Sequence, residues 1–325
     1  MIAHLVLPAT ARADLPDAKC VGILCNPLHL HETDAFARVR PTCQTAAQAM
    51  NGPLAQFVAL TCHANAVLRG HSLPPFFPGN STCRFCDWVK FVTVSKPIFG
   101  KARETPVADN PNDWFQNLKT AGILGIRLSC TPQNDPGISD RMSSAFVGGG
   151  GSWAMEAFQD RAKSAIWLSR WQVWNQNAPE RRIWRVDYGR VSEASPRAAG
   201  NASLELARNR FRSALAEIHA FSEKHGCGGF TACFSRAMET LDSDGVKRHG
   251  YHQDLAVDGV VSSLAEGLLD AAQSAWVFGG MGSWNDMGFE GADQREYDRV
   301  SQQLFTALND TIQIAANASC AARAT

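Results

Sequence analysis

Two histidines and an aspartate lie close together in the sequence RHGYHQD, at His249, His252 and Asp254. Residues three apart share a face of a helix, so the two imidazoles could point the same way and Asp254 could orient one of them. Such a group can transfer protons, or can bind a metal ion that activates water for hydrolysis. Gly250 weakens a helix here and the segment supplies no obvious third ligand, so a hydrogen-bonded structural element is the alternative interpretation.

Two cysteines form a second candidate group in STCRFCDW, where Cys83 and Cys86 have the spacing of a zinc knuckle or a redox pair. A structural zinc site needs four ligands, and the sequence has no second CxxC. The nearby residues that could complete the set are Cys62, His63 and His71. Because the sequence around Cys86 is apolar and aromatic, we expect two buried, reduced cysteines and no metal or other cofactor.

The sequence GGxGSW occurs twice, as GGGGSW at residues 148–153 and as GGMGSW at residues 279–284. Consecutive glycines predict positive φ angles or close backbone approach at both places. A glycine-rich turn can also bind phosphate through its amides, but neither copy has the Lys-Ser/Thr of a P-loop or the glycine spacing of a dinucleotide-binding turn. We expect Trp153 and Trp284 to anchor the two turns by packing their indole rings.

Charge and composition exclude several classes of function. The chain has 31 Lys+Arg and 31 Asp+Glu, which gives a net charge of zero, so we expect neither a nucleic-acid partner nor a basic membrane-binding surface. No segment approaches the roughly 20 apolar residues of a membrane span. The ten cysteines are spread thinly, and the N-terminus lacks the basic region of a signal peptide. These features predict a cytoplasmic protein with free thiols.

The order of helix and strand patterns predicts an α+β fold. Residues 191–203 are small, polar and turn-rich, and they predict a boundary between a mixed domain, residues 1–190, and a helical domain, residues 204–325. The first domain is expected to contain an antiparallel sheet and the second a small helical bundle. The predicted helices are 44–70, 204–225, 230–241, 260–276 and 293–317, and the predicted strands are 124–130, 142–147, 165–174 and 182–191.

The C-terminal part of the chain resembles an uncharacterised bacterial family with a helical domain. The resemblance rests on the loop FGGMGSWND at residues 278–286 and on the helix sequence EYDRVSQQLF at residues 296–305. The sequences SDRMSSAFVGGGGSWAMEA and RRIWRVDYGRV are similar to bacterial proteins of the same kind. The resemblance implies a bacterial, cytoplasmic protein and brings the hypothesis of an immunity-like protein that neutralises a toxin. It transfers no catalytic residue.

Two functions from different classes follow from these observations. The first is a macromolecule-binding protein with a protein partner, because no complete catalytic signature is present and two rigid turns could present side chains to another protein. The residues expected to bind are Trp153, Trp284, Asn285 and Asp286. The second is a metal-assisted hydrolase that uses the histidines and the aspartate of RHGYHQD, or a zinc-stabilised enzyme that uses the two cysteines of CxxC.

Overall fold

The described strands come mainly before the helices along the chain, and they form one sheet against which some of the helices pack. The computed structural model describes residues 50–95, 103–133, 135–159, 163–194, 203–243 and 250–320. All of these residues belong to one compact unit, Pro41–Thr325. The α+β fold class is confirmed.

The described part of the sheet has six strands in the order β2-β1-β6-β5-β4-β3. The predicted hairpin of β5 and β6 is confirmed, and every neighbouring pair is antiparallel except β1 and β6, which run parallel. The predicted antiparallel pairing therefore holds for four of the five neighbouring pairs, and the parallel pairing of β1 with β6 depends on connections far apart in the sequence. The strands are β1 (Cys86–Ser95), β2 (Arg103–Ala108), β3 (Gly125–Thr131), β4 (Ser152–Phe158), β5 (Ser164–Val173) and β6 (Trp184–Ala194).

Seven α-helices lie in the described residues: α1 (Gly52–Leu68), α2 (Pro111–Thr120), α3 (Asp140–Ser143), α4 (Leu204–Lys224), α5 (Gly228–Asp242), α6 (Ser263–Ala275) and α7 (Gly291–Asn317). The four helices predicted after residue 203 are confirmed as α4 to α7, which pack against one another. The predicted helix over residues 44–70 is confirmed as α1 from Gly52 onwards, whereas residues 44–49 lie outside the described part. The predicted strand over residues 142–147 was wrong, because α3 and a series of turns occupy that segment.

Local sequence explains where these helices begin. The side chain of Asn110 accepts a hydrogen bond from the amide of Asp113 at the start of α2, and Pro111 occupies the first helical position. Ser203 caps α4 in the same way through the amide of Leu206. Such caps satisfy amides that have no partner within the helix, so polar residues before apolar stretches fix these starts.

One hydrophobic core joins the sheet to the helices. Phe91 of β1 stacks on Trp114 of α2 with ring centroids 4.2 Å apart, and on Tyr188 of β6 at 5.3 Å. Helix α1 lies against β3 and β4, and α7 packs against both α1 and β3. Core residues of both predicted domains therefore belong to the same cluster. The division at residues 191–203 stays a prediction, because residues 195–202 lie outside the described residues.

Candidate functional site

The first glycine turn, residues 148–151, connects α3 to β4. Gly148, Gly150 and Gly151 have φ angles of +83°, +86° and +98°, which confirms the predicted positive φ. An ideal Cβ on Gly149 would lie 1.9 Å from the carbonyl oxygen of Ser143, so the turn lies directly on the end of α3. The amide of Gly150 donates to Ser143 Oγ at 3.0 Å. Close packing therefore accounts for the run of glycines.

The second glycine turn, residues 279–282, projects into solvent. Gly282 has a φ angle of +84°, which confirms the prediction for this turn as well. Met281 is completely exposed at its tip. The carboxylate of Asp286, itself exposed, accepts a hydrogen bond from the amide of Gly282. Asp286 therefore stabilises the turn and remains accessible beside its tip.

Trp284 anchors the second turn in the core of the helical part. Its side chain has 0% exposure, and its Nε1 donates to Ser301 Oγ at 2.7 Å. Its backbone oxygen accepts a hydrogen bond from the hydroxyl of Tyr297 at 2.5 Å. The ring also makes edge contacts with Phe230 and Phe234. The indole has no surface left with which to contact a partner, and these contacts support the expected anchoring role.

A reciprocal pair of hydrogen bonds holds the two turns side by side. Nη1 of Arg141, in α3, donates to Asn285 Oδ1 at 3.1 Å, and Nδ2 of Asn285 donates to the backbone oxygen of Arg141 at 3.1 Å. Arg141 is buried and also forms an ion pair with Asp298 at 3.2 Å. Because α3 supports the first turn and Asn285 follows the second, this contact joins the two copies of the motif. Asn285 is half-buried within it.

Exposed apolar side chains precede the first turn along the chain and form the tip of the second. Phe146 is 64% exposed and Val147 is 51% exposed immediately before the first turn, and Met281 forms the tip of the second. Large exposed apolar clusters on soluble domains typically mark interaction sites, whereas single exposed apolar residues are ordinary. We call this group the turn surface, and it consists of Ile138, Met142, Phe146, Val147 and Met281.

A cavity of about 160 Å³ lies beside the first turn. Its wall includes Gly148–Gly151, Trp153 from the start of β4, and Phe57 from the first turns of α1. Trp276, just after α6, contributes a further indole ring. Trp153 is therefore placed in a recess of the surface, as a binding role would require, although only 9% of it is exposed. Neither Trp276 nor the cavity could be predicted from the sequence, because the walls of the cavity come from distant segments.

Ser81 brings His252 and Asp254 together. Ser81 Oγ lies 2.8 Å from His252 Nδ1, and the amide of Ser81 donates to Asp254 Oδ2 at 2.7 Å. The Ser81 hydroxyl donates its single proton to Asp254 Oδ1, so Nδ1 of His252 must be the donor to Ser81 Oγ. This order is the reverse of a nucleophile triad, in which histidine accepts the proton of serine. His249, the third member of the predicted group, lies outside the described residues.

Backbone groups of His252 and Asp254 also bind their loop to α1, to α6 and to the side chain of Asn80. The backbone oxygen of Asp254 accepts from Nδ2 of Asn80 at 3.0 Å and lies 3.0 Å from Nε2 of His63 in α1. Gln273 of α6 bonds to both the amide and the carbonyl of His252, each at 3.0 Å. These bonds satisfy the polar groups of a half-buried segment. The geometry supports the structural interpretation of the predicted histidine group.

Acid is expected to destabilise the protein through His252. Burial lowers the pKa of His252 from 6.5 to about 4, against the opposing effect of Asp254. Between pH 6.5 and pH 4 the unfolded chain binds a proton at this histidine that the folded chain does not bind. The stabilising contribution of neutral His252 is therefore fully present above pH 6.5 and is lost as the pH falls towards 4. The full loss is about 3 kcal/mol. Burial lowers the pKa of His63 as well, which acts in the same direction.

Urea denaturation at pH 7.5 and pH 5 measures this loss for the wild-type chain. His252→Gln is expected to be less stable at pH 7.5 but to lose less stability between the two pH values. The matched control is His71→Gln, at an exposed position, which should keep the wild-type difference. An identical pH dependence in wild type and His252→Gln would contradict the assignment.

The CxxC cysteines are buried side by side under α1. Both sulfurs accept from Nε2 of Gln56 at 3.7 Å, and Oε1 of Gln56 accepts from the hydroxyl of Tyr188 at 3.0 Å. Burial raises the pKa of Cys86 to about 12 and raises that of Cys83 as well. Metal binding and thiol exchange require the thiolate. The predicted burial is confirmed, and at neutral pH both groups are protonated thiols.

Other features of the described residues bear on the choice of function. Among them, no three His, Cys, Asp or Glu side chains are grouped so that they could hold a metal ion. None of the helices in that part of the chain has the length and apolar character needed to cross a membrane. Comparison with protein-family models, with curated proteins and with solved structures finds no match to this chain.

Proposed function

We propose that this chain is a protein-binding protein and that the turn surface is its docking site. The observation that carries the proposal is the exposure of Met281 and Phe146 on two turns that the Arg141–Asn285 contact holds together. The first turn packs through Gly149 on the end of α3, and the second is fixed to the core by Trp284. A rigid apolar surface loses little entropy when a partner covers it.

The composition of the surface favours a protein partner. Methionine and aromatic residues are enriched at the centres of protein interfaces, and polar side chains surround them. Here the apolar group is accompanied by the exposed carboxylates of Asp286 and Asp298 and by half-buried Asn285. A nucleic acid would instead require a basic surface, and the chain has no net positive charge. The partner we propose therefore has an apolar patch bordered by cationic or hydrogen-bonding groups.

We further propose that the partner is met in the bacterial cytoplasm and that binding neutralises it, as an immunity-like protein neutralises a toxin. The thinly spread cysteines and the resemblance to bacterial proteins support the compartment. A binding protein of this kind needs a rigid surface and no catalytic group, which agrees with the arrangement around the two turns.

Crosslinking and matched substitutions test the docking site. A photoreactive residue at position 281 should crosslink one partner in bacterial cells, whereas the same residue at position 124 should not, because Leu124 is exposed on a different loop. With that partner, the double variant Met281→Ser, Phe146→Ser should bind at least about thirtyfold more weakly, since each truncated anchor residue costs roughly 1–2 kcal/mol. Leu124→Ser is the control.

The double variant and Leu124→Ser should both keep the melting temperature of the wild type, because none of the substituted side chains is buried. Equal crosslinking at positions 124 and 281, or equal affinity of the double variant and Leu124→Ser, would contradict the docking site.

The metal-assisted hydrolase that uses His249, His252 and Asp254 is the weaker proposal. Nδ1 of His252 and both carboxylate oxygens of Asp254 are already bonded to Ser81. Stoichiometric zinc in the purified protein, lost on His249→Ala and His252→Ala substitution, would favour the hydrolase over the binding protein.

A further inference from the structure

A histidine and a serine meet where α4 and α5 pack against each other. His219 of α4 places its Nε2 2.8 Å from Oγ of Ser235, which lies in α5. A serine inside a helix often returns its hydroxyl to a carbonyl of the preceding turn, whereas Ser235 is bonded to the side chain of a neighbouring helix. The side chain of His219 is 18% exposed and Ser235 is half-buried. Small molecules in the solvent can therefore reach this pair.

Glu223 determines which nitrogen of His219 carries the proton. Positions 219 and 223 are one turn apart in α4, so both side chains lie on the same face of the helix. Oε2 of Glu223 lies 3.4 Å from Nδ1 of His219. Because an ionised carboxylate accepts hydrogen bonds and cannot donate them, Nδ1 bears the hydrogen of the neutral imidazole and Nε2 is left as an acceptor. The hydroxyl of Ser235 is then the donor to Nε2.

This order of donors and acceptors is the one found in nucleophile triads. In such a triad a carboxylate holds one nitrogen of the histidine, and the other nitrogen accepts the proton of the serine as the serine attacks. The group of Ser81, His252 and Asp254 has the opposite order, because its histidine donates to the serine. His219 can therefore act as a general base towards Ser235, with Glu223 as the residue that positions it.

The place of Ser235 in its helix limits the chemistry. Helix α5 spans Gly228–Asp242, and beyond the first turn of a helix each amide already donates to the carbonyl four residues earlier. The backbone of α5 at Ser235 therefore has no free amide for the oxyanion that forms when an acyl carbon is attacked. A nucleophile that has a base but lacks such donors is suited to activated esters, whose leaving group departs readily, and it releases the acyl group slowly.

We propose that Ser235 is a nucleophile that accepts the acyl group of small activated carboxylic esters. Oγ of Ser235 bonds to the acyl carbon while its proton passes to Nε2 of His219. The bond between the acyl carbon and the leaving oxygen then breaks, and the leaving oxygen takes up the proton from Nε2. Ser235 ends as an ester and His219 as the neutral imidazole, so the step needs no further reactant. Neither residue belongs to the turn surface, so the inference does not depend on the proposed docking function.

Acetylation of the whole chain by p-nitrophenyl acetate tests the nucleophile. Peptide mass spectrometry should find an acetyl group on Ser235, formed together with one equivalent of p-nitrophenol. His219→Gln should slow this labelling by roughly a hundredfold or more, the usual contribution of a general base. Ser235→Ala should abolish it, whereas Ser213→Ala, at an exposed serine of α4, should leave it at the wild-type rate. Labelling of Ser235 no faster than that of Ser213, or an unchanged rate of p-nitrophenol release in Ser235→Ala, would overturn the proposal.

A second measurement tests the role of Glu223. Nitrogen NMR of His219, whose signals His219→Gln identifies, should place the proton on Nδ1 in the wild type. Glu223→Gln should move the proton partly to Nε2 and slow the acetylation of Ser235 by about tenfold, the value of one hydrogen bond to a charged group. Because the side chain of Glu223 is exposed, this variant should keep the wild-type melting temperature, and it provides the test even where His219→Gln does not fold. A wild-type proton on Nε2, or equal labelling rates of wild type and Glu223→Gln, would overturn the activation of Ser235 by His219 and Glu223.

Discussion

Gly149→Ala is expected to lower the free energy of unfolding by about 3 kcal/mol or more. Its Cβ would lie 1.9 Å from the carbonyl oxygen and 2.5 Å from the carbonyl carbon of Ser143. Those atoms belong to the backbone of α3, which cannot rotate away as a flexible side chain can. Relief requires the turn to move off α3, and the hydrogen bond from the Gly149 amide to Phe146 would be lost with it. Urea denaturation of the variant measures the effect.

Alanine substitutions at two glycines of the second turn distinguish the cost of a steric clash from the cost of an unfavourable backbone conformation. A Cβ on Gly280 would meet no atom within 4 Å and its φ angle is not positive, so Gly280→Ala should change stability by less than about 0.5 kcal/mol. Gly282 also has open space around it but a φ angle of +84°, so Gly282→Ala should cost about 1–2 kcal/mol. Equal effects of Gly149→Ala and Gly280→Ala would show that α3 yields to the added methyl group.

Helices α4, α5 and α7 could be predicted because each buries one face. In α4 the buried residues Phe211, Leu215 and Ile218 follow the helical period and the polar positions between them face solvent. That pattern depends only on the local sequence, so it can be recognised without knowledge of the tertiary structure. The position of the first residue was less predictable: the last helix was expected to begin at residue 293, whereas α7 begins at Gly291.

The wrong strand at residues 142–147 has a physical explanation in the turn surface. The prediction took an apolar run for a buried strand, since apolar residues are usually inside. Met142, Phe146 and Val147 are all exposed, and the segment forms turns. Departures from the ordinary pattern are expected where a protein exposes residues for function. The failure of the sequence prediction therefore coincides with the proposed docking site.

The contacts between distant segments of the chain are the part of the site that could not be predicted from the sequence. Asn285 and Asp286 could be placed beside the second turn, but the partner of Asn285, Arg141, lies 144 positions away. Ser81 likewise meets His252 across 171 positions. No periodicity or spacing records such a pairing, because it depends on how α3, the sheet and the last helices pack. The two glycine motifs were visible in the sequence, whereas their proximity was not.

Trp284→Ala is expected to lower the free energy of unfolding by about 4 kcal/mol. The variant would leave a cavity among Phe230, Phe234 and Tyr297. It would also leave the hydroxyl of Ser301, which is completely buried, without its indole donor. Thermal and urea unfolding measure the loss.

Trp284→Phe distinguishes the contribution of ring packing to stability from that of the hydrogen bond to Ser301. It keeps much of the packing and loses the bond to Ser301, so its cost should be near 1–2 kcal/mol. Adding Ser301→Ala to Trp284→Phe should then cost little more, because the orphaned hydroxyl is removed. Partner binding through Met281 should weaken in Trp284→Ala even under conditions in which the variant is folded, because the second turn loses its anchor. Unchanged partner binding by folded Trp284→Ala would show that the Arg141–Asn285 contact alone holds the docking surface in place.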